Sequence, residues 1–163
     1  GTGVGAGVII NGQSLNGLHA IAGEWGHNPL PWPEDDERPG RPCYCGKRGC
    51  IETWLSGPGI AANFGDGTTA TIEIVKRADA GDAVAAAYIQ RVEDRLARAL
   101  ATAINILDPD VIVLGGGVSN IARLYANVPK LLPKYVFSEF VETRIAQNIH
   151  GDSSGVRGAA WLW

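Results

Sequence analysis

The sequence predicts an α/β fold, and three observations carry that prediction. Val84, Ala87, Tyr88, Val92, Leu96, Ala99, Leu100, Ala103 and Ile106 recur at steps of three and four, the period of one long amphipathic helix. Val111–Leu114 is a short aliphatic run, bounded by Asp108-Pro109 and Gly115-Gly116-Gly117, and reads as a buried strand. The order of segments is a hairpin, then helices, then strand–glycine turn–helix, then strand–helix, which suits helices packed on a sheet.

The elements follow in chain order. Gly1-Thr2-Gly3-Val4-Gly5 alternates glycine with small residues and reads as a turn. Gly7–Ile10 reads as a strand, Asn11-Gly12 as a two-residue hairpin turn, and a second strand-like piece is expected near Leu18–Gly23. Residues 28–42 hold Pro29, Pro31, Pro33, Pro39 and Pro42 among charged residues, and predict an excursion loop. Ile51–Phe64 has helical spacing with a break at Gly57-Pro58-Gly59. Thr71–Ala80 predicts a short helix closed by Gly81, and Asp82 is placed to cap the long helix that ends at Asp108-Pro109. Ser119 is expected to cap a helix from Asn120 to about Val128, before Pro129. A strand over Thr143–Ile149 and a last helix from near Ser153 complete the reading.

With 163 residues the chain fits one domain with a proper core. The formal charge of −3 argues against a nucleic-acid partner. No apolar run is long enough to span a membrane, and no secretory signal pattern is visible, so a cytoplasmic location is expected. Gly1 opens inside a motif, which predicts a preceding N-terminal part.

Cys43, Cys45 and Cys50 are the only cysteines, and their tight clustering reads as a metal site in a reducing compartment. Zinc prefers tetrahedral thiolate and imidazole ligands. Gly46 and Gly49 let the backbone fold so that three sulfurs converge. His27, just before the proline loop that returns to Cys43, is the best fourth ligand; three cysteines and a histidine leave no open position, so the zinc is expected to be structural.

Gly1, Thr2, Gly3 and Gly5 suit either an ordinary turn or a cradle of N–H groups for a phosphate. Gly115, Gly116 and Gly117 follow a strand and precede a helix, where open α/β sheets bind nucleotides, or form a simple tight turn. A zinc-pinned loop could hold Glu24, His27 and Glu52 together, and paired carboxylates suit sugar hydroxyls; the plainer alternative is two surface glutamates.

The string Gly23-Glu24-Trp25-Gly26-His27, followed by Cys43-x-Cys45-Gly46-x-x-Gly49-Cys50-x-Glu52, resembles the signature of the ROK family of repressors and sugar kinases. The resemblance spans essentially the whole chain as the C-terminal half of that family. It implies an actin-like ATPase, ribonuclease-H-like fold and phosphorylation of a sugar hydroxyl by Mg-ATP. Three stretches, Glu24–Trp32, Pro42–Lys47 and His150–Gly158, look most like bacterial fructokinases that also accept mannose, implying fructose converted to fructose 6-phosphate. Carried over by position, Glu24, His27 and Glu52 contact the sugar, with His27 binding zinc through one ring nitrogen and facing the sugar with the other. Gly1-Thr2-Gly3 matches the second phosphate loop and Gly115-Gly116-Gly117 the adenosine motif. The family's first phosphate loop and catalytic aspartate have no counterpart here, so this polypeptide alone is expected to be inactive. A homodimer is usual in the family. Other sugars (glucose, mannose, N-acetylglucosamine, N-acetylmannosamine) and a sugar-sensing repressor are the alternatives.

Overall fold

The computed structural model describes residues 2–151. The chain opens with an exposed antiparallel hairpin, β1 (Ile9–Ile10) and β2 (Gln13–Ser14). Asn11 and Gly12 at its turn both have positive φ, 52° and 77°, as a type I′ turn requires. The second strand follows the turn at once instead of lying at Leu18–Gly23. That later stretch turns repeatedly, because Gly17, Ala20 and Gly23 all sit at positive φ, which no strand tolerates.

The proline-rich excursion is irregular, as expected, apart from a 3₁₀ turn at Asp35–Glu37. Helices α1 (Glu52–Leu55) and α2 (Gly57–Ala62) follow. The break falls at Ser56, one residue before Gly57-Pro58-Gly59. Ser56 Oγ accepts the Gly59 N–H at 3.0 Å, and Pro58 sits in the first turn, where its missing N–H costs nothing. Gly59 is fixed by packing, since an added Cβ would lie 2.7 Å from the Thr53 carbonyl oxygen.

Helix α3 (Thr71–Asp79) ends before Gly81, which takes φ 92°. Asp82 then caps α4 (Ala83–Leu107), its Oδ1 accepting the N–H groups of Val84 and Ala85 at 3.0 and 3.1 Å. Helix α4 is the spine of the molecule. Helices α1, α3 and α5 (Arg123–Leu131) pack on it, and it is buried all round from Arg95 to Ala101. Its core-facing residues are Ala85, Ile89, Val92, Leu96, Leu100 and Ile104. The predicted stripe thus holds in the middle but drifts at both ends, where Val84 and Ile106 are exposed. Asp108 stops the helix in the left-handed region at φ 44°.

Strand β3 (Val111–Leu114) pairs in parallel with β4 (Arg144–Gln147), in the register Val111↔Arg144 to Leu114↔Gln147, and α5 lies in the crossover between them. Contrary to expectation, β3 is covered on one face only: Ile112 and Leu114 lean on the core, whereas Val111 and Val113 are exposed. The helix after the glycine turn also begins later than expected. Ser119 belongs to a 3₁₀ turn at Gly117–Asn120, where its hydroxyl donates to Gly116 O at 2.6 Å, so it does not cap α5. Pro129 lies inside α5. The helix expected from Ser153 lies outside the described residues.

Candidate functional site

The segment Cys43–Gly49 is a tight knuckle. Gly46 N donates to Cys43 O at 3.0 Å and Cys43 N to Lys47 O at 2.8 Å, while Gly46 and Gly49 take φ 85° and 69°. Gly49 N donates to Arg41 O, Leu30 N to Gly49 O and, just past the knuckle, Ile51 N to Asn28 O, so both ends of the proline loop are laced to it. This lacing brings His27 to the sulfurs.

One donor atom from each of His27, Cys43, Cys45 and Cys50 lies within 4.8 Å of the others. Cys43 Sγ is 3.5 Å from His27 Nδ1, and Cys45 Sγ is 3.6 Å from Cys50 Sγ. Tetrahedral zinc with Zn–S bonds of about 2.3 Å has donor–donor edges of about 3.8 Å, so this donor set fits the metal. Without metal, burial pushes the Cys50 thiol up to about 12, whereas the Lys47 backbone N–H helps bring Cys45 down to about 7. Metal binding must therefore expel protons, most reluctantly from Cys50.

The other imidazole nitrogen has a partner that sequence reasoning missed. His27 Nε2 is 2.8 Å from the hydroxyl of Tyr44, and the two rings meet edge to face at 5.0 Å. Tyr44 lies between two cysteines of the knuckle and is 84% exposed.

The two carboxylates both lie close to the first glycine segment. Glu52 Oε2 accepts the Val4 N–H at 2.9 Å, and a Cβ on Gly5 would lie 3.8 Å from Glu24 Oε2. The segment is pressed close on the strip that carries Glu24. Ala6 N donates to Gly23 O at 2.9 Å; an added Cβ on Gly26 would lie 1.9 Å from Val4 O, and one on Gly23 2.0 Å from Ala6 O. Both glycines are thus required by backbone approach. Val4 and Ala6 spend their N–H groups inward, whereas those of Gly3 and Gly5 have no partner among the described residues. Alternate N–H groups of this kind are what an anion can use. Gly1 lies outside the described residues. Beside Glu52, Thr2, Arg41, Tyr44, Ser56 and Ala62 help to line an open cavity of about 250 Å³.

Gly115, Gly116 and Gly117 stand apart from this group, at the carboxyl end of β3. Gly116 takes φ 76°, and a Cβ on Gly115 or Gly117 would meet nothing within 4 Å, so the backbone there is open to an approaching ligand. Asn148 Nδ2 braces the turn, donating to Leu114 O and Ser119 Oγ at 3.1 Å each.

A buried ionic cluster was also missed. Glu37, in the proline loop, is met by Arg95 and Arg98 of α4. The only trace of it in the sequence is Arg91, Arg95 and Arg98 at helical spacing and the acidic run Glu34–Glu37, a pattern that more often marks a solvated face.

The ROK family profile matches residues 1–163. The N-acetyl-D-glucosamine kinase of Yersinia pseudotuberculosis serotype O:1b (strain IP 31758) is 41% identical over 169 residues, covering 99% of this chain and 56% of that protein. Among solved structures, a ROK family glucokinase from Streptomyces griseus in complex with glucose and AMPPNP superposes with a TM-score of 0.82 at 26% identity, over 99% of this chain and 57% of the other. A ROK family transcriptional regulator, a homolog of the E. coli MLC protein, gives a TM-score of 0.71 at 28% identity, over 90% of this chain and 39% of the other. The chain thus spans about half the length of the curated relatives it matches. Its α/β fold is the actin-like ATPase fold, and the chain belongs to the ROK family.

Proposed function

We propose that this chain supplies the zinc-bearing, sugar-holding lobe of an ATP-dependent sugar kinase, which transfers the γ-phosphoryl group of Mg-ATP to a hexose hydroxyl. The observation that carries the reading is the placing of Glu52 against Gly3 and Val4 and of Glu24 near Gly5, next to a Cys₃His cluster. That puts acceptors for sugar hydroxyls beside free N–H groups for a phosphate. In this reading Glu24 and Glu52 hold the sugar, and His27, whose Nε2 is 2.8 Å from the Tyr44 hydroxyl, reaches it only where the sugar takes Tyr44's place. Gly1, Thr2, Gly3 and Gly5 cradle phosphate, and Gly115, Gly116 and Gly117 border the adenosine. Zinc on His27, Cys43, Cys45 and Cys50 is structural. The general base is assigned to a segment beyond this chain, since none of its acids matches the family's catalytic aspartate; the isolated chain is then inactive.

The proposed sugar is N-acetylglucosamine or glucose. The fructokinase-like strings favoured fructose, but the relatives above are named for the other two sugars. The test is ADP release by the complete gene product with N-acetylglucosamine, glucose, mannose and fructose at saturating Mg-ATP. Turnover of about 1–100 per second on one of the first two is expected. Preference for fructose would restore the earlier assignment, and no turnover on any sugar would sink the kinase reading.

The second reading, a sugar-sensing repressor, draws on the regulator's similar fold. The unpartnered N–H groups of Gly3 and Gly5 favour the kinase. Nucleotide binding by the complete protein separates the two.

A further inference from the structure

Glu37 is 2% exposed, and Arg95 and Arg98 are 3% and 2% exposed. Glu37 Oε1 accepts from Arg95 Nε at 2.7 Å and from Arg98 Nη2 at 3.0 Å. Its Oε2 accepts from Arg98 Nη1 at 2.8 Å and from the Glu34 N–H at 2.9 Å. Arg98 Nη1 also donates to the carbonyls of Trp32 and Pro31, at 2.7 and 3.2 Å. Asp94 Oδ2 lies 2.9 Å from Arg98 Nε, which balances the charges. On its other side, the Arg95 guanidinium stacks 4.5 Å from the centre of the Trp54 ring.

These contacts join two pieces of the site that share no ligand atom. Trp54 is on α1, two residues after Glu52, which starts the helix. Pro31 and Trp32 are on the loop that runs from His27 to Cys43. Where that loop returns, a Cβ on Gly40 would lie only 2.4 Å from Gly49 Cα, so its backbone rests on the knuckle. Buried ion clusters add little net stability over well-packed apolar residues of the same volume. What this one adds is direction: three groups of the loop and one ring of α1 are held by two side chains of a single rigid helix.

We infer that Glu37 is a positioning residue of the sugar site, which sets the placement of Glu52 and the zinc knuckle through Arg95 and Arg98 without touching the sugar. The inference rests on the sugar-kinase reading for its kinetic part only.

The experiment compares the complete protein with Glu37→Gln and with an apolar triple variant, Glu37→Leu/Arg95→Met/Arg98→Met. It measures the KM for sugar and for ATP, the kcat, and the rate of zinc release to excess chelator. Glu37→Gln is expected to raise the sugar KM about tenfold or more while the ATP KM stays put, because a small displacement of a positioned group has large kinetic effects. Zinc release should quicken as well. The triple variant should regain thermal stability without regaining the sugar KM. A folded variant with unchanged sugar KM and zinc release overturns the proposal. So does restoration of both by the apolar triple, or failure of both variants to fold, since either result marks the cluster as structural only. If the wild-type protein phosphorylates no sugar, the kinase reading fails, and zinc release alone decides whether Glu37 positions the knuckle.

Discussion

The Tyr44 hydroxyl sits 2.8 Å from His27 Nε2, on the side of the imidazole opposite the sulfurs. Were zinc to take Nδ1, Nε2 would carry the proton and donate it to the Tyr44 oxygen, which would fix both tautomer and ring orientation. A sugar hydroxyl directed to His27 Nε2 would have to displace Tyr44. Tyr44→Phe should weaken zinc binding about tenfold in a competition titration with a chromophoric chelator. Unchanged zinc affinity would show that the exposed phenol has no hold on the ring.

Glu52 has two tasks that one substitution can separate. Its Oε2 latches the Val4 N–H, and its charge is proposed to bind sugar hydroxyls. Glu52→Gln keeps a carbonyl oxygen for Val4 but loses the charge. A hydrogen bond to a charged group is worth about 1.5–3 kcal/mol, so sugar affinity should fall roughly tenfold to a hundredfold. Thermal unfolding should change little. Equal loss of stability and affinity would mean that the latch, and not the charge, is what matters.

Gly26→Ala is expected to be among the most damaging single changes outside the metal ligands. The new Cβ would fall 1.9 Å from the Val4 carbonyl oxygen, which is backbone and cannot swing away. Overpacking of this kind costs about 1–3 kcal/mol or more. Denaturant unfolding should register that loss, and a wild-type midpoint would show that the glycine segment does not pack on Trp25–His27.

Stability should also fall in acid through Glu37. Burial alone would raise its pKa, but the hydrogen bonds from Arg98, Arg95 and the Glu34 N–H outweigh burial and bring it from 4.5 to about 2. The folded pKa is depressed, so this contribution is complete above about pH 4.5 and is lost as pH falls from there towards 2. Its size is on the order of 3 kcal/mol. Unfolding of Glu37→Gln should lack that slope, and curves for the two proteins should converge near pH 2. Parallel curves across that range would contradict the assignment.

Much of this was legible in the residues. The helical period of α4, its Asp82 cap and the stop at Asp108 were local signals, and α4 spans Ala83–Leu107 as they implied. The Cys₃His cluster was legible because ligand chemistry at short spacing leaves few alternatives. Other features depend on contacts between distant segments. Gly23 and Gly26 read as motif glycines, yet their reason is the backbone of Val4 and Ala6, some twenty residues away. The face of β3 could not be read, because Val111 and Val113 are as aliphatic as their buried neighbours. Ser119 resembled a helix cap in sequence, but its hydroxyl turns back to Gly116 O within the 3₁₀ turn at Gly117–Asn120. The Glu37 cluster was hidden by its composition, since acidic runs and spaced arginines usually mark a solvated face.

The central claim is that zinc on His27, Cys43, Cys45 and Cys50 holds Glu24 and Glu52 in place for a sugar. The most direct measurement is calorimetric titration of N-acetylglucosamine and glucose into the complete protein, first zinc-loaded and then zinc-stripped under conditions where it stays folded. The account predicts binding of one of these sugars to the loaded protein and at least about tenfold weaker binding to the stripped protein. Equal affinity in both forms, or no binding of either sugar to the loaded form, would contradict it.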